Sequence, residues 1–187
     1  MGQTSSQGAH SHEARAQGPR LIALAGPFQC GKTTLLEAIL AHAGAIPRQG
    51  GVAAGASVGD SSPEARAHQM SVESNIATVD YMGDRYTFID LPGSVEFAHE
   101  SRNILPVVDA AVVVCEADPR KIPALQLILR QLEEFGAPHF IFLNKIDAAT
   151  IDVREALNIL QPASRTPLLL RQIPIWNNGV AVGFIDL

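Results

Sequence analysis

The 187 residues of this chain are 47% hydrophobic and carry a formal net charge of -5, which suffices for one well-buried domain, excludes two large ones and argues against a general polyanion-binding surface. No apolar run approaches the roughly 18 residues of a membrane span, so no membrane association is expected. Cys30 and Cys115, the two cysteines, lie where chemistry or packing explains them without a disulfide, which fits a cytoplasmic location.

Residues 1–19 are rich in Ser, Gln, Gly and His; with few large apolar side chains they cannot offset the entropy of ordering and read as a disordered tail. Leu21 to Ala25 (LIALA) is a short apolar run that suits a buried parallel strand. Residues 26–33 then read GPFQCGKT, so Gly26, Gly31, Lys32 and Thr33 fill every fixed position of the phosphate-binding loop G-x-x-x-x-G-K-S/T. Glycine lets the backbone wrap closely around phosphates with its N–H groups pointing inward, and the following helix turns its positive dipole end on the same anion. Pro27, Phe28, Gln29, Cys30 and Thr34 complete the cradle, Lys32 adds a full charge, and Thr33 offers a hydroxyl to Mg²⁺. The implied ligand is a nucleoside triphosphate. Residues 32–43 carry Leu35, Leu36, Ile39 and Leu40 at helical spacing, and the Gly- and Ala-rich stretch from Gly44 to Asp60 reads as a long mobile loop.

Ile76 to Tyr81 and Arg85 to Asp90 are strand-like runs joined by Met82-Gly83-Asp84, a hairpin signal. The second run ends in Asp90-Leu91-Pro92-Gly93, which supplies a carboxylate able to hold Mg²⁺ through water and a glycine N–H able to meet a γ-phosphate. Ala110 to Cys115 and His139 to Asn144 are continuous apolar runs of the buried parallel type, and between them Pro123 to Phe135 sets Leu125, Leu129 and Leu132 on one helical stripe. Asn144-Lys145-Ile146-Asp147 follows: the Asp147 carboxylate can accept from both N1–H and the 2-amino group of guanine, which adenine cannot match, while Lys145 lies along the base and Asn144 ties this loop to the phosphate loop. Asp147 thereby disfavours an ATPase or small-molecule kinase. Val153 to Leu160 reads as a further helix with Asp152 as its N-cap. Strands alternating with helices predict a doubly wound, mostly parallel α/β sheet whose ligand sits beyond the carboxyl ends of the strands.

These three motifs, in this order, resemble the translational GTPases, and the closest resemblance is to the elongation factor G family. It is carried by residues 33–40 (TTLLEAIL), 90–100 (DLPGSVEFAHE), 108–117 (VDAAVVVCEA) and 136–147 (GAPHFIFLNKID), and it extends from about residue 20 to residue 187. The resemblance implies a Ras-like P-loop NTPase fold of three α/β/α layers, GTP and GDP as ligands, Mg²⁺ as cofactor, and a monomeric factor acting on the ribosome without direct sequence-specific contact to nucleic acid. It further implies that residues 20–162 are the core of the GTP-binding domain without its last strand, that residues 163–187 open an inserted subdomain, and that the chain is a fragment or a truncated product of a larger factor. Lys32, Gly93 and the residue after Gly93 would carry catalysis.

The sequence departs from that family at three places. Ser94 stands where the family has the histidine that positions the attacking water, which implies slow hydrolysis or a guanine-nucleotide switch that barely hydrolyses. Gln29 stands where the family has Asp in the phosphate loop. His68-Gln69-Met70-Ser71 replaces Arg-Gly-Ile-Thr in the first switch, so Ser71 would take over the metal contact of the threonine.

Overall fold

The computed structural model describes residues 18–48, 75–93, 102–148 and 151–187. Its elements are β1 (Arg20–Ala25), α1 (Lys32–His42), β2 (Asn75–Tyr81), β3 (Asp84–Asp90), β4 (Ala110–Cys115), α2 (Ile122–Glu134), β5 (His139–Leu143), α3 (Val153–Leu160), β6 (Gln172–Asn177) and β7 (Val180–Asp186), with short 3₁₀ turns at Leu105–Val107, Pro119–Lys121 and Gln161–Ala163. Five strands form one sheet in the order β2-β3-β1-β4-β5, parallel except for β2 against β3.

Side-chain alternation along the central strands divides the core in two. Ala23, Ala25, Val113 and Cys115 face one side, where they meet Leu125, Leu129 and Leu132 of α2 and Leu160 of α3. Leu24, Val112 and Val114 face the other and meet Leu36 and Leu40 of α1. Period-two strands buried on both faces therefore read as unbroken apolar runs, and the helices supply the outer layers of an α/β/α sandwich. The stripe Leu125, Leu129, Leu132 is almost completely buried, and Asp152 caps α3 by accepting from the Glu155 N–H at 2.8 Å.

The predicted boundaries hold to within a residue or so. Asp84 belongs to β3 rather than to the turn, because Met82 (φ 50) and Gly83 (φ 88) alone reverse the chain in left-handed conformations that match the strand twist. Asn144 lies just past β5 rather than in it. Residues 172–186 form a separate antiparallel hairpin, β6–β7, turning at Asn178 (φ 50) and Gly179 (φ 78), and every residue of β7 is exposed.

Candidate functional site

β1 is the switch point of the sheet: its neighbours are β3 on one side and β4 on the other, so a crevice opens beyond its carboxyl end. The phosphate loop fills that crevice. Gly26 leaves β1 at φ 146, Gln29 adopts φ 55 and Gly31 enters α1 at φ 96. A Cβ on Gly26 would stand 2.0 Å from the Val114 carbonyl oxygen, one on Gly31 2.3 Å from Asn144 Nδ2, and one on Gly93 2.5 Å from Lys32 Nζ and 3.0 Å from the Phe28 Cα. Their positive φ values require glycine at 26 and 31, whereas a side chain at 93 would displace the Lys32 ammonium and crowd the Phe28 backbone. Helix α1 begins with no side-chain cap and no acidic residue in its first turn, which leaves its amide dipoles directed at the loop.

Lys32 is 7% exposed and its ammonium donates to the carbonyls of Gly26 and Pro27 at 3.1 and 3.3 Å. Thr33 Oγ1 donates to Asp90 Oδ2 at 2.6 Å, which fastens the first turn of α1 to the end of β3; Asp90 itself is fully buried. Asn144 Nδ2 donates to the Cys30 carbonyl at 2.9 Å and Lys145 Nζ to the Gln29 carbonyl at 2.7 Å, fastening the segment after β5 to the same loop. Asp147 is exposed and lines a cavity of about 950 Å³ together with Asn144, Lys145 and Trp176 of the β6–β7 hairpin. Thr34 faces solvent.

The donor set around Thr33 and Asp90 suits a hard divalent cation. A hydroxyl and a carboxylate meet there, and among the described residues no group of three or more His, Cys, Asp and Glu forms a softer or denser site. Mg²⁺ is the ion that accepts so few protein oxygens, because it retains water and takes phosphate oxygens for the rest. Ser71 and Ser94, assigned by sequence to the metal and to the attacking water, lie outside the described residues, as does the predicted N-terminal tail through residue 17.

Two charged residues at the site escape the sequence motifs. Glu116, just after β4, accepts from Lys121 and, at 3.3 Å, from Lys145 through the same Oε1 atom, and Lys121 Nζ also donates to the Phe28 carbonyl at 3.0 Å. Burial raises the Glu116 carboxyl, but hydrogen bonds and charge from Lys121 and Lys145 together outweigh it and hold it below its ordinary range. Cys30 in the loop and Cys115 at the end of β4 are both buried: burial, with the neighbouring Cys30 and Glu116, pushes the Cys115 thiol up to about 12. Burial also raises Cys30, against the opposing charges of Lys32 and Lys121.

The family model for the elongation factor Tu GTP binding domain matches residues 18–169. The chain belongs to the translational GTPases. Among its relatives, an elongation factor G-like protein of Synechocystis sp. is 43% identical over 168 residues, covering 90% of this chain and 25% of the relative, and elongation factor G 2 of Streptomyces coelicolor is 31% identical over 90% of this chain and 24% of its own length. A crystal structure from Thermus thermophilus superposes with a TM-score of 0.78 at 33% identity over 89% of this chain and 25% of that one. A bacterial selenocysteine-specific elongation factor, at 23% identity and a TM-score of 0.54 over 79% of this chain and 23% of its own, shares the fold. This translational GTPase chain thus spans about a quarter of the length of the curated relatives it matches.

Proposed function

We propose that this chain is the nucleotide-binding domain of an elongation factor G-like translation factor, which binds GTP with Mg²⁺, hydrolyses it slowly and couples the two nucleotide states to action on the ribosome. The observation that carries the reading is the pair of bonds Thr33–Asp90 and Asn144–Cys30, which draw two segments distant in sequence onto the phosphate loop at the switch point of the sheet. In the proposed complex Lys32 and the backbone N–H groups of residues 28–34 hold the phosphates, the Gly93 N–H meets the γ-phosphate, Asp147 accepts from the guanine edge and Lys145 covers the base. Thr33, Asp90 and Ser71 would hold Mg²⁺, directly or through water; the ion neutralises charge on the β- and γ-phosphate oxygens when bound. Residues 20–162 form the core of this domain, and the separate β6–β7 sheet supports reading residues 163–187 as the opening of an inserted subdomain.

A domain of this kind acts in a cytoplasmic, monomeric factor; no helix among the described residues is long and apolar enough to cross a membrane. Competition against a fluorescent GDP tests the base assignment: GTP is expected to displace it at least about 100-fold more effectively than ATP, since only guanine satisfies the Asp147 carboxylate. Equal competition by ATP would remove the guanine reading.

Slow hydrolysis rests on Ser94, which is shorter than histidine and holds a water less firmly. Single-turnover hydrolysis of GTP is therefore expected to be slow, and substitution Ser94→His to raise the rate about tenfold or more. A rate that does not respond to this substitution assigns the water-positioning role elsewhere.

A further inference from the structure

Five consecutive carbonyls of the phosphate loop, from Gly26 to Cys30, each accept a hydrogen bond from a side chain: the first two from Lys32, then one each from Lys121, Lys145 and Asn144. Drawing the carbonyls outward leaves the intervening N–H groups to face the crevice. The central donors have an unusual arrangement. Gln29 is a non-glycine residue in a left-handed conformation, which costs about 1 kcal/mol or more unless its surroundings impose it. The carbonyls on either side of its Cα, those of Phe28 and Gln29, are gripped by Lys121 and Lys145, and both lysines converge on the same Glu116 oxygen.

Lys121 is rigidly mounted. It closes the 3₁₀ turn Pro119–Lys121, whose start is capped by Asp118 accepting from the Arg120 N–H, and α2 follows directly, with its leucine stripe locked into the core. Glu116 and Lys121 are 20% and 25% exposed at the side chain, so the pair is held in a partly desolvated position where its geometry persists.

We propose that Glu116, Lys121 and Lys145 form a clamp that keeps Gln29 in its left-handed conformation and so presets the phosphate loop for its anion, with Lys121 and Glu116 as positioning residues acting through the Phe28 and Gln29 carbonyls. The consequence for nucleotide rests on the guanine-nucleotide reading above; the effect on the loop does not. A purely electrostatic role makes the opposite prediction for one variant. The three side chains sum to one positive charge, so Glu116→Gln would raise the local charge and tighten an anion, whereas the clamp loses its shared anchor and loosens.

The test uses the 187-residue chain with Lys121→Met, Lys121→Arg and Glu116→Gln. Hydrogen exchange is read on the amides of residues 28–33 without nucleotide, and dissociation is read on a fluorescent GDP. Lys121→Met and Glu116→Gln are each expected to speed loop exchange and GDP release by about tenfold, and Lys121→Arg, whose fork still reaches a carbonyl, to stay within about threefold of the parent. Loop exchange unchanged in both variants, tighter GDP binding in Glu116→Gln, or an equal rise in exchange throughout β4 overturns the clamp. A parent chain that retains no guanine nucleotide removes the functional reading alone, and the exchange arm still decides the clamp.

Discussion

Substitution Gly26→Ala is expected to abolish guanine-nucleotide binding and to destabilise the chain by about 3 kcal/mol or more. The added carbon would stand 2.0 Å from the Val114 carbonyl oxygen and 3.0 Å from Cys30 Sγ, at a φ of 146 that L side chains avoid. The obstructing oxygen belongs to β4, which is paired with β1 on one side and β5 on the other, so it cannot retreat without breaking two ladders. The loop must move instead, carrying Lys32 with it. Urea melts with a fluorescent-GDP titration measure both effects; a variant that melts and binds like the parent would mean that the crevice has room the structure does not show.

The second large effect is one of selectivity. Asp147→Asn is expected to weaken GTP by about 100-fold while leaving the melting temperature within about a degree, because the side chain is exposed and lies outside the buried core. An amide presents a donor where guanine also presents one, so the pair is left mismatched. The same amide suits a purine carrying a carbonyl at position 2, and xanthosine triphosphate should then bind better than GTP. Isothermal titration with the two nucleotides reads the reversal, and undiminished GTP affinity would show that this carboxylate does not face the base.

Much of the fold was legible because local pattern and global packing agree. LIALA and AAVVVC are apolar at every position since both faces of the sheet are covered, and Leu125, Leu129 and Leu132 recur at helical spacing because α2 buries one stripe. The β6–β7 hairpin is not legible in the sequence despite its Asn178-Gly179 turn: β7 is exposed throughout, so no core-facing alternation marks it as a strand. At the site, the motif residues Lys32, Thr33, Asp90, Asn144 and Lys145 meet in space, since each motif carries its own geometric reason for its spacing. Glu116 and Lys121 carry none. Five residues apart in a polar loop, they read as solvated charges, and only the adjacency of β4 to β1 brings them against Phe28.

Trp176 is the single tryptophan of the chain, 45% exposed and set in the wall of the cavity that Asn144, Lys145 and Asp147 share. Its indole emission is therefore a built-in optical gauge: any shift of the β6–β7 hairpin toward or away from that cavity changes the solvation of one fluorophore and is readable without a label.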